Sequence, residues 1–184
     1  MSRRQVWCEH AVLPSGVGDD VVIAIEDELV VDVAVGVAPP ADSTVLRGLT
    51  LPGFANAHSH AFHRALRGRT HDGRGDFWTW REQMYSVAQR LTPDNYRALA
   101  RAAFAEMVLA GFTCVGEFHY VHHEPDGAPY ADANAMGEAV IDAARSAGIR
   151  LTLLDACYLR SGAGAPPLPE QRRFSDGTAQ QWVD

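Results

Sequence analysis

Two histidines one residue apart, His58 and His60, close the run Leu51-Pro-Gly-Phe-Ala-Asn-Ala-His58-Ser-His60. If Phe54–His60 is extended, its side chains alternate faces and both imidazoles point the same way. Two imidazoles so placed at a strand end can share one metal ion at Zn–N distances of about 2.0–2.1 Å. The same pair also reads as two unrelated surface or core histidines, so the spacing alone decides nothing. The Pro52-Gly53 break and the apolar lead-in favour the strand.

Further polar residues cluster downstream. Arg81 lies beside Trp78 and Trp80, where it can stack on them as a cation–π partner. Glu117 and His119 share one face of a candidate strand by its two-residue period, and one of them is expected to point into the fold's centre. Tyr120 follows that strand, as a half-buried residue with a wet hydroxyl or as a site residue. His122 and His123 read as loop residues rather than ligands, and His10 and His71 as incidental.

The elements that must position these groups fall into two blocks. Residues 1–50 read as a small antiparallel β unit. Gln5–Leu13 is a first strand, broken by Pro14-Ser-Gly-Val-Gly; Val21–Glu26 and Leu29–Val35 form a hairpin through Asp27-Glu28. After Pro39-Pro40, Ser43–Thr50 is a fourth candidate. So few strands make a small core, so this unit is expected to pack on something else.

From residue 51 strands alternate with helices. Phe77–Leu91 reads as a helix. Thr92-Pro93-Asp94 starts another, with Thr as cap and Pro at the first position, and Gly111 ends it. Its apolar residues Tyr96, Leu99, Ala100, Ala103, Phe104, Met107 and Val108 keep helical spacing. Thr113–His119 is a strand. Asp132 caps a further helix through Met136, Val140 and Ala144, stopped by Gly148, and Ile149–Cys157 is a strand expected to be buried on both faces. Strand, helix, strand, helix, strand with short links signals a parallel sheet. The tail from Gly162 reads as loop. A (β/α)₈ barrel takes about 250 residues, so three strands read as the front part of something larger.

Composition limits the partners. The 184 residues carry 16 Lys+Arg against 23 Asp+Glu, a formal net charge of −7. That balance argues against a nucleic-acid groove or an anionic membrane surface. No apolar run approaches the ~20 residues of a membrane-spanning helix, and no apolar signal core follows the basic N-terminus. Cys8, Cys114 and Cys157 read as reduced thiols of a cytoplasmic protein, serving as buried small apolar residues.

At this point the residues carry a resemblance. Leu51–His60 resembles the metal-binding entry of the amidohydrolase superfamily, in which a small β-sandwich precedes a (β/α)₈ barrel and His-x-His ends the first barrel strand. Within it the sequence looks most like the N-formimino-L-glutamate deiminases of histidine degradation. The supporting segments are His58-Ser-His-Ala-Phe-His63-Arg64-Ala, Phe77-Trp-Thr-Trp-Arg81-Glu, Glu117-Phe-His-Tyr120-Val-His122-His123 and Gln171-Arg-Arg-Phe174. His-x-His is shared across the superfamily, whereas FWTWRE and EFHYVHH are much narrower. One departure is His63, which stands where many members have glutamine.

The resemblance implies an α/β fold: a 1–50 β unit, part of a composite sandwich, before a 51–184 block of the first βα units of an incomplete barrel. It implies a mononuclear zinc (or another divalent metal) on His58 and His60, with His63, Arg81 and Tyr120 at the substrate. The reaction implied is hydrolysis of N-formimino-L-glutamate to N-formyl-L-glutamate and ammonia. The remaining ligands and the acid–base groups are expected beyond Asp184, so the 184 residues alone are expected to be inactive. A small-molecule substrate is the expected partner, with no nucleic acid or membrane, and the resemblance leaves room for a homodimer of the full-length protein. The alternatives are a guanine, chlorotriazine or imidazolone hydrolase, sharing His-x-His but not FWTWRE, and a non-enzymatic α/β domain with structural histidines.

Overall fold

Strand β1 (Arg3–Leu13) pairs antiparallel with β2 (Gly16–Glu26), and β2 with β3 (Leu29–Ala34). The β2–β3 turn is Asp27-Glu28, with φ of 45° and 70°. Positive φ at both central residues suits the right-handed twist of the paired strands. These elements belong to a computed structural model that describes residues 3–70 and 76–183; His71 lies outside the described residues. The chain separates into one unit up to Pro52 and a second from Gly53.

Two expectations for the first unit need correction. Strand β2 begins at Gly16, so the break is the two-residue turn Pro14-Ser15 rather than a five-residue interruption. The unit is also not purely antiparallel: β4 (Thr44–Thr50) pairs parallel with β1, giving the order β3-β2-β1-β4. A hairpin-length link permits only antiparallel neighbours. Residues 35–43 are long enough to carry the chain across to the free edge of β1. The unit's own core is small, centred on Cys8, Ala11 and Val21, and the apolar residues of β3 stay exposed.

In the second unit β5 (Phe54–Ser59), β6 (Phe112–His119) and β7 (Arg150–Asp155) form a parallel sheet in that order. Helices α1 (Phe77–Ala88), α2 (Pro93–Leu109) and α3 (Ala135–Ala147) lie between them in sequence. A 3₁₀ turn, Ala61–Leu66, follows β5. Thr92 caps α2 reciprocally with Asn95, and Gly111 leaves it at φ 88°. Asp76 caps α1 by accepting from Trp78 and Thr79 N–H. Asp132 does not cap α3. Its carboxylate accepts from the Asn134 N–H two residues on, closing a local turn, and α3 starts only at Ala135 with Asn134 as its cap. Short polar side chains readily take such local bonds in place of a helix cap. Phe62, Tyr96, Phe104, Val115, Met136, Val140 and Phe174 make the core of this unit. No helix among the described residues is long and apolar enough to cross a membrane.

Strand β7 is shorter than expected and not buried on both faces: Leu154 is 43% exposed. It pairs only with β6 among the described residues, so its apolar run lacks a second neighbour. Cys157, expected to be buried, is exposed, whereas Cys8 is buried and Cys114 half-buried; all three are free thiols.

The tail is more ordered than a loop. A 3₁₀ turn at Pro169–Phe174 and a short α4 (Ala179–Val183) follow, and Gln171, Arg173 and Phe174 are fully buried. The Arg173 guanidinium donates to the carbonyls of Ala88, Leu91 and His123. Those carbonyls end α1, precede α2 and follow β6, so one side chain ties three segments. The apolar spacing around it gives no sign of this, because the partners are backbone. Arg173→Lys keeps the charge but loses the planar fork. Stability should fall by about 2 kcal/mol, as buried carbonyls lose donors. A chemical denaturation midpoint equal to wild type would refute that role.

Candidate active site

The sheet sorts its polar residues by face. Ser59 and Glu117 are buried on the helix-covered side, and Ala61 N–H donates to the Glu117 carboxylate at 2.5 Å. His119, two residues on, is buried on that same side. Glu117 and His119 therefore both face the helix layer; the expectation that one would point into the barrel fails, since the barrel-facing side of the sheet is the one that carries His58 and His60. Burial raises the Glu117 pKa, opposed by its bonds from Ser59 and Ala61. The Ala61 bond anchors the start of the 3₁₀ turn that carries His63.

The open face holds His58, His60 and Phe118. The pairing of β5 with β6 is irregular between Asn56 and Ser59, yet the two imidazoles lie together, ring centres 4.7 Å apart and edge to face. Both rest against Phe118, at 6.2 and 5.4 Å. His60 Nδ1 lies 3.2 Å from the Phe118 carbonyl. A carbonyl only accepts, so Nδ1 carries the hydrogen and Nε2 keeps its lone pair. Burial first, then the neighbouring His58, lowers the His60 pKa and favours the neutral imidazole. A neutral ring, oriented through one nitrogen by a carbonyl and open at the other, is the form in which histidine binds zinc. His58 and His60 fit half of such a centre. Among the described residues no third His, Cys, Asp or Glu joins them.

His63 stands next to this pair. Its ring centre is 4.6 Å from that of His60, its Nε2 is 3.0 Å from Tyr120 Oη, and Trp80 meets it edge-on at 5.3 Å. Burial, followed by His60 and His58, lowers its pKa to about 4. Tyr120 is only 8% exposed, so its hydroxyl is not wet; burial pushes its pKa up. The two residues are thus a neutral pair. If Tyr120 donates in the shared bond, His63 keeps an Nδ1 hydrogen to offer elsewhere; if His63 donates, the Tyr120 hydrogen goes to Met84 Sδ at 3.8 Å.

Arg81 is half-buried on α1. Its guanidinium lies 5.6 Å from the Trp78 ring and 5.2 Å from the Tyr85 ring, while Trp80 turns to His63 instead. Its Nε donates to Tyr85 Oη at 2.7 Å, and Gln171 Nε2 donates to the same oxygen at 2.7 Å. Tyr85 and Gln171 hold Arg81 in place, a role not read from the sequence, although Gln171 opens one of the segments that carry the resemblance. The four-residue spacing of Arg81 and Tyr85 on one helix face was the available signal; nothing local pointed to Gln171. His122 and His123 do lie in the loop after β6, but His122 is buried. His10 pairs with the exposed Asp19 at 2.7 Å, in the other unit.

With the geometry in place, residues 49–183 match the amidohydrolase family. The chain is 41% identical over 180 residues to formimidoylglutamate deiminase of Pseudomonas aeruginosa, covering 94% of this chain and 39% of that enzyme. It superposes on an amidohydrolase from Brucella melitensis with a TM-score of 0.87 and 39% identity, over 94% of this chain and 39% of that one. An atrazine chlorohydrolase from Arthrobacter aurescens, solved with zinc and atraton, gives a TM-score of 0.69 at 24% identity, over 88% of this chain and 37% of its own. That last likeness is one of fold. The chain spans about two fifths of the length of these relatives.

Proposed function

Because the chain belongs to the amidohydrolase family, we propose that the intact protein is a zinc-dependent deiminase hydrolysing the formimino C–N bond of N-formimino-L-glutamate. One observation carries the reading: His63 bridges His60 and the Tyr120 hydroxyl, with Trp80 on its flank and Arg81 following in the chain. Trp80 and Arg81 come from the narrow segment FWTWRE and Tyr120 from EFHYVHH, so both segments meet beside His63. The 41% identity to a formimidoylglutamate deiminase supports the same substrate.

The substrate has two carboxylates and a formimino cation, so its site needs cationic and neutral donors together. Bound zinc would lower the pKa of a coordinated water to about 7 and so supply hydroxide for hydrolysis of the amidine carbon. His58 and His60 would hold that ion, His60 through its open Nε2. Arg81, its Nε fixed on Tyr85, turns its remaining N–H groups to a carboxylate, where a planar fork forms two parallel bonds. With Tyr120 donating to His63 Nε2, the His63 Nδ1–H serves a second polar group. The free thiols Cys8, Cys114 and Cys157 suit a reducing cytoplasm. Ammonia release by the intact protein on N-formimino-L-glutamate and guanine, and chloride release on a chlorotriazine, test the assignment. Turnover is expected on the first alone. Efficient turnover of either heterocycle without it would overturn the proposal.

A further inference from the structure

On the helix-covered side of the sheet, a second group of metal-binding side chains has no part in the chemistry above. His119 ends β6 and Asp155 ends β7, and the two are register partners on adjacent parallel strands. Such neighbours lie side by side on one face of the sheet. His122 follows three residues after His119 and folds back onto them. One ligand atom from each of His119, His122 and Asp155 lies within 4.8 Å of the others. His119 and Phe118 are consecutive in β6 and so face opposite ways. Since His58 and His60 pack around Phe118, this group is on the other face from them.

The hydrogen-bond inventory leaves a gap at the centre of the group. His122 Nε2 lies 3.2 Å from the Ala156 carbonyl and must donate to it. In a neutral ring the Nδ1 lone pair then faces the Asp155 carboxylate, 3.6 Å away. That separation is too long for a hydrogen bond to close it. It is close to the N···O distance of about 3.4 Å that two ligands subtend on one tetrahedral zinc, from metal–ligand bonds of about 2.0–2.2 Å. His119 is 97% buried by its 3% exposure, and its Nδ1 has no hydrogen-bond partner. A buried nitrogen left in that state is costly unless something else meets it. His119, His122 and Asp155 also line a cavity of about 240 Å³ beside the start of α3, with Asn134, Gly137 and Glu138 on its far wall. Asp155 is 44% exposed at its side chain, which gives an ion a way in from solvent.

The geometry points to a second divalent-cation site, formed by His119, His122 and Asp155 and selective for Zn2+ or a similar borderline ion. Two imidazoles and one carboxylate are a donor set for such ions rather than for Ca2+ or Mg2+, which prefer oxygen. Three protein ligands leave a fourth position for water. An ion there joins the ends of β6 and β7 to the loop that carries His122, so its effect is on local stability. The assignment does not depend on the deiminase reading.

The test uses the intact protein carrying His58→Ala and His60→Ala, which removes the other histidine pair from the count. After dialysis against micromolar Zn2+, one equivalent should remain bound, and Zn2+ should raise the melting temperature. Adding Asp155→Ala changes an exposed side chain and should leave the metal-free melting temperature unaltered. It should lower Zn2+ affinity by about 100-fold or more, above the 10–100-fold typical of losing a group that only orients a ligand. His122→Phe should abolish binding in the same way. No retained zinc in the His58→Ala/His60→Ala protein, or undiminished zinc after Asp155→Ala, would overturn the site.

Discussion

Alanine at His60 should strip the intact protein of the zinc held on the open face and lower kcat by more than about 10³-fold, since only metal-bound water ionises near 7. His60 is the better anchored of the two candidate ligands: its Nδ1–H is held by the Phe118 carbonyl, leaving Nε2 directed away. His58 has no such tether and is exposed, so His58→Ala should lose zinc with less effect on the position of its neighbour. Neither ring is a core residue, so both variants should fold as wild type. Zinc still bound on the open face of the double variant, located by its anomalous scattering, would rule out the pair as ligands.

Arg81→Met should lower kcat/KM on N-formimino-L-glutamate by about 30-fold or more. Removing a charged partner from a desolvated carboxylate costs on the order of 2–5 kcal/mol, and 2 kcal/mol is already about 30-fold. Zinc content should not change, because Arg81 is on α1 and bonds Tyr85, not the histidines. Folding should change little, since Tyr85 Oη keeps its bond from Gln171 and methionine retains the apolar stem over Trp78. Wild-type efficiency in this variant would mean that the guanidinium merely packs on Trp78 and Tyr85, and the carboxylate partner would then have to lie elsewhere.

What the sequence disclosed follows from how local each signal is. Thr92-Pro93 and Gly111 mark the ends of α2 because capping is settled within a few residues. Phe54–Ser59 was legible as a strand from its break and alternation, and the meeting of His58 with His60 from the two-residue period. The direction of β4 was not, because it depends on which sheet edge the 35–43 link reaches. The open or covered side of Glu117 and His119 was also hidden: period two says that they share a face, not which layer covers it. The burial of Arg173 and Gln171 rests on Tyr85, Ala88, Leu91 and His123, 50–86 residues away, beyond any local pattern. His122 reads as a loop residue in sequence because its partners, a carbonyl and a carboxylate at the end of another strand, leave no local signal.

The most direct measurement is an anomalous-difference map at the zinc edge from crystals of the intact protein grown with zinc. A peak is expected on the open face of the β5–β6 sheet, about 2.0–2.1 Å from His60 Nε2 and from a ring nitrogen of His58. His60 Nδ1 should still face the Phe118 carbonyl. A map with bound zinc elsewhere and none within bonding distance of His58 and His60, or a His60 ring flipped to ligate through Nδ1, would contradict it.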